Sequence, residues 1–249
     1  MNNLKIFASM EEFEAAKPSM DTPFVVLEKG TPKVIYSNLV EISEDELDTG
    51  EYIDLGLPSG LKWASCNIGA NKPCESGLLF QFGRVDGYAY KDNNHQFSSG
   101  TSTPTTTSGK TYKAGSVLDP ADDAAYQATN GKAHMPTAAD IDELLKGTTN
   151  EWCQCNVLDD THTSHNVYGR LFTSKTNGKK IFIPAAGCFN GSFRDAGLGT
   201  GSNGYLWSSS VYSTSASLGD YLRFNSGSGN CYRSYAYRYC GHSVRGVCK

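Results

Sequence analysis

Residues 204–249 read GYLWSSSVYSTSASLGDYLRFNSGSGNCYRSYAYRYCGHSVRGVCK. Two strand-like pieces, YLRF at 221–224 and SVRGV at 243–247, bracket an irregular run of Tyr, Arg, Ser, Asn, Cys and His. Seven of the chain's 14 tyrosines lie between Tyr205 and Tyr239. Tyrosine supplies large, stiff, amphipathic contact area at low entropic cost, arginine supplies forked donors, and Ser, Gly and Asn adapt around them. The mixture reads as a binding surface on a short-stranded scaffold. A tyrosine-rich sheet edge packed on the chain's own core is the competing reading, since scattered surface tyrosines are ordinary.

Charge changes character in the same stretch. The chain carries −4 overall, yet after Asp220 there is no acid and there are five cations: Arg223, Arg233, Arg238, Arg245 and Lys249. Cations spaced singly among small residues are a poor electrostatic footprint for nucleic acid, so no nucleic-acid partner is expected.

Upstream, 39% hydrophobic content with 26 glycines points to loop-rich β structure instead of a helical bundle. A main domain is expected over residues 51–249. Its strand candidates are 52–55, 61–64, 78–82, 170–173 and 180–184, the last two joined by a Thr176-Asn177-Gly178 hairpin signal. The clearest helix opens at Thr137, an N-cap with Asp140 at N3; Ile141, Leu144 and Leu145 share a face, and Gly147 ends it. Trp63, Trp152 and Trp207 are expected in the core. The Ser/Thr/Gly-rich run 93–113 reads as a solvated surface loop, and 187–204 as turn-dominated.

Residues 1–38 read as a small αβ unit. Strands are expected at 4–8, 23–27 and 33–36, and a helix follows the capping box Ser9-Met10-Glu11-Glu12. So small a unit buries little apolar area, and it is expected to anchor on a partner surface. Residues 39–50, with Glu41, Glu44, Asp45, Glu46 and Asp48, read as an acidic linker, or over Glu41–Asp48 as a short exposed helix. The first residues lack the apolar run of a secretory signal, and no stretch of about 18 apolar residues occurs. The expectation is a chain without membrane insertion that leaves its cell, if at all, within a larger particle.

Six blocks then resemble one known family in order. They are DLGLPSGLKWA with NIGA (54–70), HMPTAADIDEL (134–144), IFIPAAG (181–187), GYLWSSS (204–210), YLRF (221–224) and HSVRGV (242–247). Over residues 51–249 the chain resembles the Fibrobacter succinogenes major paralogous domain family. The resemblance implies an α+β, C-type-lectin-like domain, loop-rich with short strands and one or two helices, more loosely related to formylglycine-generating enzymes. The tail is also similar to variable proteins of diversity-generating retroelements, in which randomised adenines turn Asn codons ending in C into any codon ending in C. Lys, Glu, Gln, Met and Trp cannot arise that way, and none of the five occurs between Ser208 and Cys248. By that logic ligand contact is expected from Tyr212, Thr214, Arg223, Ser228, Asn230, Tyr232, Arg233, Ser234, Tyr235, Tyr237, Tyr239 and His242. Cys231 and Cys240 join them as randomly sampled thiols.

LKIF (4–7), EEF (11–13) and the 23–36 hairpin look like the attachment ends of fibre and baseplate proteins in phages of gut Bacteroidales. Together these resemblances imply a non-enzymatic virion protein. It would grip other virion proteins through residues 1–38 and recognise a bacterial surface glycan or protein through its tail. Trimers are frequent among such proteins, though no heptad specifies a homotrimer here. The alternatives are a bacterial cell-surface adhesin and a formylglycine-generating-type enzyme.

Other chemistry is weakly supported. Calcium-dependent sugar sites use acid–amide pairs around a proline, and no Pro dipeptide here carries one, so neither metal nor cofactor is expected. Cys231 and Cys240 lack an accompanying acid or base for redox catalysis. Cys153, Cys155, His162 and His165 offer two thiolates and two imidazoles for zinc, but in a polar loop at tight spacing; solvated histidines beside packed thiols fit better. The eight cysteines show no tight framework, so reduced thiols are the default, with Cys66–Cys74 as the candidate bridge.

Overall fold

The computed structural model describes residues 5–7, 24–28, 31–35, 40–48, 50–89, 103–158, 164–190, 193–194, 202–226 and 231–249. The chain separates into two compact units, Met1–Glu41 and Ile42–Lys249.

In the first unit β1 (Lys5–Phe7) runs parallel to β2 (Phe24–Glu28), which pairs antiparallel with β3 (Thr31–Ile35). Glu28 faces Thr31, so the hairpin closes where the Glu28–Pro32 turn signal stands. Pro32, which has no amide proton, sits on the outer strand, where a missing ladder bond costs least. The helix expected after Ser9 lies outside the described residues.

The second unit is mostly β-sheet and loop, with two short helices among the described residues: α1 (Ala124–Ala128) and α2 (Ala138–Gly147). Helix α2 starts where its sequence signals. The Thr137 hydroxyl accepts from the Asp140 amide, the Asp140 carboxylate accepts from the Thr137 amide, and Ile141 and Leu144 are buried. No helix among the described residues is long and apolar enough to cross a membrane.

Among the described residues this unit forms three sheets. One contains β4 (Val40–Ser43), β8 (Thr148–Leu158), β9 (Ser164–Ser174) and β10 (Lys180–Pro184), in the order β10-β9-β8-β4. A second joins β5 (Tyr52–Asp54), β6 (Lys62–Asn67) and β17 (Arg245–Cys248), so the last strand pairs with one near the unit's start. The third and largest contains β7 (Leu79–Gln81), β11 (Phe189–Asn190), β12 (Phe193–Arg194), β13 (Asn203–Val211), β14 (Leu218–Asn225), β15 (Cys231–Tyr237) and β16 (Gly241–Ser243). Its order is β12-β11-β16-β13-β14-β15, with β7 on β16.

Buried residues of all three sheets, of helix α1 and of the loops form the core. Trp63, Trp207, Phe82, Phe172, Phe182 and Phe224 are all closed to solvent, and Trp152 is buried on β8. The Trp207 indole donates to the Phe80 carbonyl at 2.8 Å, and Phe82 meets it edge-on, with centroids 5.3 Å apart. Burial has thus left the indole donor matched, as an apolar surround demands.

Several expectations need correction. Within the acidic segment 39–50 a short 3-10 helix forms at Glu44–Glu46, the alternative to a linker; Asp45 and Glu46 are exposed, Glu44 is partly buried, and Ile42 and Leu47 are buried on either side. The polar loop 93–113 is not purely solvated in its described part. Thr106 and Tyr112 are buried, and the Tyr112 hydroxyl donates to Asp122 at 2.7 Å. The polar region after α2 forms a long hairpin, because β8 and β9 pair without interruption from Thr148–Ser174 to Leu158–Ser164. Finally, Cys74 bonds to Cys155, while Cys66 is free. That bridge removes one thiolate from the zinc set considered above.

Candidate binding surface

The run expected to be irregular contains a regular strand. β15 pairs antiparallel with β14 from Leu218–Tyr237 to Phe224–Cys231 and forms the outer edge of the large sheet. Strand pleating sends Arg233, Tyr235 and Tyr237 to one face and Tyr232, Ser234 and Ala236 to the other. Tyr232, Tyr235 and Tyr237 are 41%, 51% and 50% exposed.

On the first face the tyrosines stack. Tyr212, at the end of β13, lies against Tyr235 with ring centroids 4.1 Å apart, and Tyr237 lies against Tyr239 at 5.5 Å and 12°. Such pairs hold their rings before any ligand arrives, which lowers the ordering cost of binding. Arg233 is already committed on this face. Its Nε donates to Asp142 of α2 at 2.9 Å and its Nη1 to Asp220 of β14 at 2.8 Å. The hydrogen bond to Asp142 leads in raising the guanidinium's pKa; burial pushes the Asp220 carboxyl up, against the pull of Arg233. Arg233 therefore clamps the edge strand to the helix, a positioning role different from the ligand contact expected of it.

The second face is built as rows across β13, β14 and β15. Tyr205, Arg223 and Tyr232 are register partners, as are Trp207, Tyr221 and Ser234. Tyr221 is buried, and desolvation raises its phenol pKa while the Ser234 hydroxyl lowers it. Ser234 is thus turned toward Tyr221. Thr214 is exposed in the turn after β13. Ser228 and Asn230 lie outside the described residues.

Two expected contact residues belong to the core. His242 is 2% exposed, with its ring stacked 4.0 Å from Trp207 and 5.1 Å from Tyr205. Burial holds its imidazole down to about 3. Cys240 is 5% exposed, and burial pushes its thiol up to about 12; Cys231, half-buried, is pushed up to about 11. Two of the five tail cations are also internal. Arg245 is closed to solvent, donating to Asn67 and to the Phe182 carbonyl, each at 2.9 Å, and Arg238 lies over the Phe82 ring. The tail's positive charge is therefore less displayed than its sequence suggests.

A separate shallow cleft of about 240 Å³ is lined by Gln81, Arg84, Asp86, Tyr88, Pro104 and Thr105. Its charges satisfy each other: Arg84 donates twice to Asp86, at 2.8 and 2.9 Å, and the Tyr88 hydroxyl donates to the same carboxylate. Sequence reasoning passed over this cleft, since nothing in the spacing of these residues ties 81–88 to 104–105. Comparison with protein-family models, with curated proteins and with solved structures returns no match for this chain.

Proposed function

We propose that the chain is a non-enzymatic binding module, a C-type-lectin-like domain on a small N-terminal anchor, serving as a phage fibre or receptor-binding protein. Its target is a bacterial surface glycan or protein, and residues 1–38 grip other virion proteins. One observation carries the binding reading. Of five large apolar or aromatic side chains exposed among the described residues, three project from the single edge strand β15, Tyr235 and Tyr237 together on one face and Tyr232 on the other. Aromatic side chains clustered on a rigid scaffold are typical energetic anchors of an interface. The mostly β, loop-rich architecture with two short helices is compatible with the lectin-like expectation.

Burial pushes the Cys231 and Cys240 thiols up, opposite to the shift that activates a cysteine nucleophile, and this supports a non-enzymatic role. The test is the double variant Tyr235→Ala/Tyr237→Ala. Binding to target cells should be lost while the melting temperature stays within roughly 2 °C of the parent. A large thermal loss would mean that these rings hold the fold together, and the binding reading would not survive it.

A cell-surface adhesin is the second reading, favoured by the Cys74–Cys155 bridge, since disulfides persist in exported chains. Mass spectrometry of purified virions against cell-surface fractions separates the two. Diversification of the tail is tested in the flanking DNA: a reverse-transcriptase gene and a near-copy of the tail's coding sequence differing only at adenines are expected.

A further inference from the structure

We propose that the face of the large sheet opposite the stacked tyrosine pairs carries an anion subsite centred on Arg223, and that the glycan it takes bears a carboxylate or phosphate group. The inference rests on the binding reading above and names the chemistry of its ligand.

The guanidinium accounts single out this residue. Arg84 is held by Asp86, Arg233 by Asp142 and Asp220, Arg170 by Asn150 and the Asn225 carbonyl. Arg238 donates to the Ala216 carbonyl, and Arg245 to Asn67 and the Phe182 carbonyl. Buried guanidinium nitrogens without an acceptor occur on Arg170, Arg238 and Arg245, each of which is held by another bond. Among the described arginine side chains Arg223 alone has neither hydrogen bond nor ion pair, and its Nε is shut off from water. A buried cationic donor left unmatched is costly, so proteins seldom keep one without a partner that arrives later or an ordered water.

Its setting is that of a site. Tyr205 of β13 and Tyr232 of β15 are its register partners on either side, so the three side chains leave the sheet on one face, with neighbouring Cβ atoms about 5 Å apart. The register shift in the β13–β14 pair falls between Trp207 and Val211, outside this row. Tyr232 is 41% exposed at the sheet's edge, while half-buried Tyr205 lies inward against His242 at 5.1 Å and Tyr221 at 5.8 Å, so the row opens toward solvent on its Tyr232 side. A guanidinium fork matches a carboxylate or phosphate in two parallel hydrogen bonds, and the exposed Tyr232 ring suits the apolar face of a sugar. The other face lacks this chemistry, because its arginine, Arg233, is neutralised by two carboxylates.

The test uses the full chain with methyl β-D-glucuronide, glucose 6-phosphate and, as neutral control, methyl β-D-glucoside. The Arg223 Nε–H resonance in a ¹H–¹⁵N spectrum should shift saturably with at least one anion and not with the glucoside. Which anion shifts it identifies the group as carboxylate or phosphate. Arg223→Gln should weaken that anion by about tenfold or more, and Arg223→Lys, which keeps the charge but loses the fork, should weaken it too. The subsite is overturned if the anions move this resonance no more than the glucoside does, or if Arg223→Gln binds them as the parent does. Target-cell binding separates the two levels. If Tyr235→Ala/Tyr237→Ala abolishes it while Arg223→Gln leaves cell and anion binding intact, only the subsite falls. If neither variant changes cell binding, the binding reading falls as well.

Discussion

His242 shows what burial does to one titratable ring. It lies 4.0 Å from Trp207 and 4.7 Å from Tyr221, its Nδ1 has no partner, and burial holds its pKa down to about 3. The unfolded chain titrates near 6.5, so between those values it binds a proton that the folded chain refuses. Stability is therefore fully present above about pH 6.5 and is lost as pH falls toward 3. From pH 7 to pH 5 the loss from this group is about 2 kcal/mol. His242→Phe keeps an aromatic ring in the stack and should flatten that part of the melting-temperature profile. An unchanged slope would assign the proton uptake to other groups. His242 and Cys240 looked displayed in sequence because they share the composition of the run around them, and composition carries no information about which face is covered.

Elements differ in how far local signals specify them. Helix α2 was legible because its cap is made by residues three apart, Thr137 and Asp140. Thr137→Ala should cost about 1 kcal/mol in chemical denaturation. Strand β15 was not legible, since Tyr232 and Arg233 are adjacent and both exposed, which breaks the in–out alternation of a half-buried strand. The β8 strand was hidden in the same way by its polar residues, although it pairs with β9 along its whole length. Gly204 illustrates a constraint set across strands. It faces Phe224 in the β13–β14 register, and a Cβ there would fall within the Phe224 ring. Gly204→Ala should destabilise by about 1–3 kcal/mol and lower the melting temperature accordingly. A variant as stable as the parent would mean that the ring moves aside freely.

Across the whole large unit the Cys74–Cys155 bridge is the longest covalent constraint, joining positions 81 residues apart. Closing so long a loop restricts the unfolded chain, so Cys74→Ser should cost about 2–4 kcal/mol under oxidising conditions and nothing further on adding reductant. Thiol titration of the denatured, unreduced protein should find six free thiols of eight. Eight would remove the bridge. Loop-rich β composition, the α2 start, the three core tryptophans and the concentration of tyrosines at the C-terminal end were determined by the sequence alone, because periodicity, caps and composition act over a few residues. Which tyrosines are displayed, which arginines are spent, which cysteines pair and which face keeps an unmatched cation were decided only by the tertiary structure. Those properties depend on strand register and on burial by residues distant in the chain, and no local pattern encodes either.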